Sequence, residues 1–279
     1  MPTDRMRPTV QTFRGLQASF ALPKSLSEAV KRLSQQEDVT LFMTLLAAFT
    51  ALLYRYTDQE DLLVGTAISS RKRPEVENLL GVFLNTLVLR TPVSGGRSFR
   101  QLLATVKEVT LQGLAHGDVP FPLLVKDLQP RRDPGRNPIF QVTFVLEPPL
   151  PAPSAGWDLT QMDVDTGVAR VDLYFQLDDR PQGILGHIRY NSDLWDASTI
   201  ARLVAHFQLL LEGIVTDPER PISAIPILTA NERIGGAAHR DLVRPNNPFI
   251  TFEDEELEQS IPRRFAKQVT KYPRRVAIR

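Results

Sequence analysis

From Leu41 to Tyr54 the chain runs for 14 residues with only Thr44 and Thr50 interrupting an apolar stretch. Thr40 stands ahead of it as a helix cap, and Leu41, Leu45, Phe49, Leu52, Leu53 and Tyr56 recur at helical spacing. Apolar residues nevertheless spread over more than one face, and a helix of that kind must be covered on several sides. A bilayer span needs roughly 20 such residues, so the segment is too short to cross one. It therefore predicts a buried central helix, which obliges the rest of the chain to supply layers around it. The 279 residues, 42% hydrophobic and 23% charged, are an ordinary globular mix that can do so.

Those layers can be read from periodicity. Ser25 to Glu28 forms a capping-box pattern, followed by Leu26, Val30 and Leu33 at helical spacing. Ser98 and Gln101 form a second box, opening a helix with Phe99, Leu102, Leu103, Val106 and Val109 on one face. A short helix is expected over 122–128. Asp196 should cap a long helix through Ile200, Leu203, Val204, Phe207, Leu210, Leu211 and Ile214, stopped by Asp217-Pro218. Strands are expected at 61–68, 81–90, 139–146, 172–177 and 184–190, the last two as a hairpin around Pro181-Gln182-Gly183. Residues 1–22 read as an irregular entry segment. The four prolines of 147–156 suggest an extended crossing segment, and 235–249 a linker. Helices and strands mix without a strict βαβ rhythm, which predicts an α+β sandwich.

Charge and side-chain chemistry exclude several functions. Lys plus Arg is 33 and Asp plus Glu is 32, a balance unlike that of a dedicated nucleic-acid binder. The N-terminus has no apolar signal segment. There is no Cys, which removes thiolate nucleophiles and Cys-based metal sites. No two of His116, His187, His206 and His239 have the spacing of a helical metal pair. None is followed four residues on by Asp, as a His general base of the chloramphenicol-acetyltransferase type would be. Ser69 and Lys72 give a Ser-x-x-Lys match in a polar loop, and Asp178-Asp179 sit at a hairpin end; neither has a partner motif. The chain holds no complete catalytic constellation.

Three ordered stretches are more specific: GVFLNTLVLR at 81–90, HGDVPF at 116–121 and RDPGRNPIFQVTFVL at 132–146. In order and spacing they resemble the later signature motifs of nonribosomal peptide synthetase condensation domains. The opening PTDRMRP and the stretch 190–232 are similar to the segment that follows the family's first lobe and to its closing helix and exit. Residues 261–279 resemble the start of an amino-acid adenylation domain. The resemblance thus implies a C-terminal condensation lobe over 1–232, a linker over 233–260 and a truncated adenylation start over 261–279. The family's HHxxxDG motif does not occur in the sequence.

What the resemblance implies is a chloramphenicol-acetyltransferase-like lobe with a mixed sheet and flanking helices. Its partners would be the N-terminal lobe, upstream and downstream carrier domains and the adenylation domain, in the cytoplasm, with neither nucleic acid nor membrane. No cofactor is bound directly; phosphopantetheine arms come from the carriers. No metal is implied, and the general-base His belongs to the missing motif. Asn137 would place an amide near the channel, Arg132, Asp133 and Arg136 would form an ion-pair network, and Asn85 would either fix a loop or line the channel. His116 and Asp118 would position a helix start, or line the channel. Gly135 stands where the family usually has Ser. The segment 147–165 would cross to the partner lobe. A docking module without catalysis is the competing expectation, and a reading frame upstream carrying HHxxxDG would decide between them.

Overall fold

The computed structural model describes residues 1–71, 74–77, 79–147 and 165–233. The chain divides into two units, Met1–Thr229 and Ala230–Arg279, and the account below concerns the first. In order, its elements are β1 (Gly15–Ala21), α1 (Lys24–Gln36), α2 (Leu41–Thr57), β2 (Asp61–Ser69), the one-turn α3 (Pro74–Glu77), β3 (Leu84–Pro92), α4 (Phe99–Ala115), α5 (Phe121–Leu128), β4 (Val142–Glu147), β5 (Leu173–Arg180), β6 (Gly183–Asn191) and α6 (Ala197–Thr216). The expected crossing segment, linker and adenylation start fall almost wholly outside the described residues.

The strands form one six-stranded sheet in the order β1-β6-β5-β4-β2-β3. β4 runs parallel to both β2 and β5, and the other pairs are antiparallel, so the sheet is mixed. Helices α1, α2, α4 and α6 cover one face. Alternation along each strand sends Leu62, Val64, Leu89, Phe144, Phe175, Leu177 and Ile188 toward them. Phe175 is the hub of that core: its ring centroid lies 4.7 Å from Phe49, 5.0 Å from Phe207 and 5.8 Å from Phe20. As expected, α2 is central, with every residue from Met43 to Leu53 buried and Thr40 Oγ1 accepting from the Met43 amide at 3.2 Å. α6 has the length and hydropathy to cross a bilayer. Its Ile200, Leu203, Phe207, Leu210, Leu211 and Ile214 are instead buried in this core.

Several local expectations give way to tertiary contacts. Residues 15–21 are an edge strand, β1, paired with β6 from Gly15–Asn191 to Ala21–Leu185. Ser25 does not cap α1, which starts at Lys24 after Pro23. Ser27 uses its hydroxyl instead to accept from the Ile184 amide, tying α1 to β6. Gly81 to Phe83 precede β3, and Ile139 to Gln141 precede β4. Asp196 stands at the N-cap of α6 without a cap hydrogen bond of its own. Asp4 fills that role from far away, accepting from the Asp196 amide at 2.8 Å and the Thr199 hydroxyl at 3.1 Å.

Candidate functional site

The opening segment is a clamp. Trp195 Nε1 donates to Pro2 O at 2.7 Å, and Arg5 binds Ser192 O and Asp196. Arg7 makes a bidentate pair with Asp172 at the start of β5 and donates to Gly135 O at 3.0 Å. The Asp172 carboxylate is buried and the Arg7 side chain partly so. The hydrogen bond to Asp172 raises the Arg7 pKa above its ordinary value. One arginine thereby fastens residues 1–8, the 132–138 loop and β5 together.

The 132–138 loop is held from several directions. Asp133 Oδ1 accepts from the Gly135 amide at 2.8 Å, and Arg136 pairs with Asp133 at 3.4 Å. Arg132 does not join them; it lines a separate cavity with Pro122, Val125 and Lys126. The expected three-residue ion network is therefore a two-residue one. A Cβ at Gly135 would lie 2.7 Å from Pro8 O, so a serine there could not fit without moving the opening clamp. Asn137 Nδ2 donates to Arg170 O at 2.8 Å, and its backbone is bracketed by the Gln141 amide. One amide N–H of Asn137 is thus spent on positioning the bend that leads into β5.

Asn85 has all its hydrogen-bonding positions filled. Nδ2 donates to Gly117 O at 2.9 Å and Val119 O at 2.7 Å, while Oδ1 accepts from the amides of Phe121 at 3.1 Å and Thr86 at 2.9 Å. It fixes the α4–α5 connection and has no group left over for a ligand. His116 caps the C-terminus of α4, not a helix start, with Nδ1 2.9 Å from Gln112 O. Asp118 lies exposed in the same turn, and Pro120 is the N-cap residue of α5.

These loops converge. Phe121, whose amide is held by Asn85, packs against Phe140 with ring centroids 5.6 Å apart. Phe140 lies over Gly65 of β2 so closely that a Cβ there would meet its ring at 2.4 Å. The stretches around 85, 116–121 and 132–146 thus meet at one place, beside a cavity of about 540 Å³ on the sheet face away from the large helices. Its lining includes Thr66, Thr86, Phe140, Thr143, Tyr174 and Arg189. The Arg189 guanidinium lies 4.7 Å from the Tyr174 ring centroid and donates through Nη2 to Gln176 Oε1 at 3.0 Å. Its buried Nε has no hydrogen-bond partner. Burial pushes the Tyr174 phenol up, partly offset by Arg189.

Sheet register also aligns residues that spacing could not. His187 Nδ1 lies 3.0 Å from Ser19 Oγ, and Nε2 lies 3.5 Å from Asp178 Oδ2, which also pairs with Arg180. Ser19 sits in the flat edge strand β1 and not at a strand-to-helix turn, so the trio reads as a cross-strand polar ladder and not as a nucleophile with its base. Among the described residues no group of His, Asp and Glu could hold a metal ion. Hydroxyls, the arginines Arg170 and Arg189, and shape are what the cavity on this face offers to a ligand.

A condensation-domain family model matches residues 1–234. The chain belongs to the condensation domain family. It is 44% identical over 236 residues to one of the proteins that make up the linear gramicidin synthase of Brevibacillus parabrevis, covering 83% of this chain and 5% of that protein. It is 38% identical over 283 residues to a second component of the same synthase, covering 100% of this chain and 4% of that protein. The chain therefore spans a small part of the curated relatives it matches. Among solved structures, a four-domain nonribosomal peptide synthetase bound to AMP and glycine superposes with a TM-score of 0.77 at 25% identity, over 83% of this chain and 19% of that one. The α+β fold expected from the sequence is the fold of this family.

Proposed function

We propose that residues 1–232 are the C-terminal lobe of a nonribosomal peptide synthetase condensation domain. The lobe forms one wall of the site where an aminoacyl thioester meets an acyl or peptidyl thioester. In that reaction the amine nitrogen attacks the thioester carbonyl carbon, the C–N bond forms and the C–S bond breaks. The thiolate leaves, and the proton lost by nitrogen ends on sulfur. Both thioesters are carried on phosphopantetheine arms of partner carrier domains in the cytoplasm. The wall contributes orientation, and holding two reactants in line is worth several kcal/mol of barrier. The general base belongs to the HHxxxDG motif, which this sequence does not contain.

The observation that carries this reading is the convergence of three signature stretches through Asn85, Phe121, Phe140 and Gly65 beside one cavity. The second gramicidin synthase component matches the whole chain, beyond the end of the condensation model at 234, which supports an adenylation start over 261–279. The test joins this chain to an HHxxxDG-bearing lobe and supplies two loaded carrier proteins, with product followed by mass spectrometry. Condensation by the joined enzyme, and none by the 279-residue chain, is expected. Multiple-turnover condensation by the chain alone would refute the lobe assignment.

A further inference from the structure

The sheet is open in its middle. β2 and β4 are neighbours, yet they pair through one bridge only, Gly65 to Thr143. In parallel register the next pairs would be Thr66 with Phe144 and Ala67 with Val145, and neither forms. On its other side β2 stays paired with β3 to its end at Ser69, and β4 stays paired with β5 to Glu147. Beyond Gly65 the two halves of the sheet therefore part while each remains intact. Ala67, which follows the bridge by two residues, is exposed. Interior strands normally satisfy their backbone groups in ladders, so a parted seam leaves polar groups for something else to meet.

A cavity lies on each face of this seam, and both are lined by Thr66 and Ala67. The one on the polar face, about 540 Å³, holds Thr143, Tyr174 and Arg189. The one on the helix face, about 320 Å³, is lined mainly by apolar side chains, among them Phe42, Met43, Leu87, Leu114 and Leu146. That volume is at the small end of ligand pockets, which are typically apolar with few polar groups. It contains one telling group. Thr110 on α4 lines it, is 3% exposed, and its Oγ1 has no hydrogen-bond partner. A helical threonine ordinarily returns its hydroxyl to the carbonyl four residues back, as Thr50 does to Leu46 O at 2.8 Å. An unspent buried hydroxyl is costly unless a ligand or water meets it.

We propose that the parted β2–β4 seam is a pocket for the apolar side chain or acyl tail of a thioester-bound substrate. The carbonyl end lies on the polar face by Thr143 and Arg189, and the tail passes Ala67 toward Thr110. The proposal rests on the condensation reading for the identity of the substrate, but the pocket is tested by binding alone. Ala67, Leu146 and Thr110 are then residues that set tail length and polarity.

The probes are stable pantetheine amides, titrated into the 279-residue chain and followed by methyl NMR. Acetyl and hexanoyl amides represent a donor, glycyl and leucyl amides an acceptor. In one of these two arms the longer tail should bind at least about tenfold tighter, because four added carbons leave water. The arm that responds names the source of the tail. Ala67→Trp should plug the seam and abolish the gain, and Ala67→Leu serves if the larger residue prevents folding. A 6-hydroxyhexanoyl amide should match or exceed hexanoyl in the wild type, and Thr110→Val should reverse that order. Equal affinities for short and long tails in both arms, or a gain untouched by either Ala67 variant, would overturn the proposal. Failure of the joined enzyme to condense, with seam-dependent binding intact, would instead count against the functional reading.

Discussion

Replacing Asn85 with Ala and with Asp separates two ways of damaging one site. Asn85→Ala deletes two donations to carbonyls of the α4–α5 connection and one acceptance from the Phe121 amide, besides the local bond from Thr86. At about 0.5–1.5 kcal/mol net for each non-local bond, and with part of the site open to water, the loss should be about 1.5–3 kcal/mol. For a domain of this size that lowers Tm by about 4–10 °C. Asn85→Asp is nearly isosteric and keeps the acceptor facing Phe121, yet it should cost more than Ala. Its second oxygen would stand where Nδ2 now lies, 2.9 Å from Gly117 O and 2.7 Å from Val119 O, with no proton to share. Those carbonyls hold the carboxylate pKa above its unfolded value. The penalty is therefore full above that raised pKa and shrinks as pH falls and the carboxyl regains a donor. Urea denaturation across pH 4–7, with hydrogen exchange at the amides of 119–124, measures both effects. Asp tolerated as well as Asn at neutral pH, or exchange at Phe121 unchanged in either variant, would refute the assignment of Asn85 as the brace of this loop.

Arg7→Met should cost about 3–5 kcal/mol in denaturant titrations, because it leaves the buried Asp172 carboxylate unpaired; Arg7→Met with Asp172→Leu should recover much of it. Gly65→Ala drives a methyl into the Phe140 ring and should cost about 1–3 kcal/mol, with much less added cost when Phe140→Ala is already present. Asp4 has its pKa lowered, first by the Asp196 amide it accepts from and then by the Thr199 hydroxyl. A lowered folded pKa stabilises above the unfolded value and is lost as pH falls through the folded one, so Asp4→Asn should flatten the acid limb of the stability curve while α6 helicity is followed by circular dichroism.

The elements legible in the sequence are those whose signal is local. α2 declares itself by an apolar run with a threonine cap, α4 by a capping box that the structure reproduces with both reciprocal bonds. β1 was hidden because GLQASFA carries little alternation; pairing with β6 makes it a strand. The Ser25 box and the Asp196 cap misled for one reason: a capping pattern names residues able to cap, while the tertiary surroundings choose among them. Pro23 and Ser27 displaced Ser25, and Asp4 arrived from 192 residues away at Asp196. The site divides along the same line. Asn85, Asn137 and Asp133 stand in recognisable stretches, but that Asn85 is saturated and that Arg132 stands apart are facts of packing. Arg7 and Asp172 pair across 165 residues, and no spacing rule reaches that far. Tyr174 and Arg189 had a fainter signal, as polar members alternating with the apolar residues of β5 and β6.

The two faces of this sheet differ sharply in chemistry. The helix face carries a close-packed core centred on Phe175, and nearly every strand residue there is apolar. The other face presents threonines, Tyr174, Gln176, Asp178, His187 and Arg189, braced mostly against one another. An antiparallel sheet can leave such a face polar, but a strand with parallel neighbours normally has both faces covered. β4 has two parallel neighbours and is the strand along which the sheet parts. Phe140 wedged over Gly65 fixes where the parting begins, and Asn85, through Phe121, fixes Phe140. The signature stretches are therefore not a scattered set of reactive groups. They are a mechanical chain, running from Asn85 through Phe121 and Phe140 to Gly65, that ends at the single bridge joining β2 to β4.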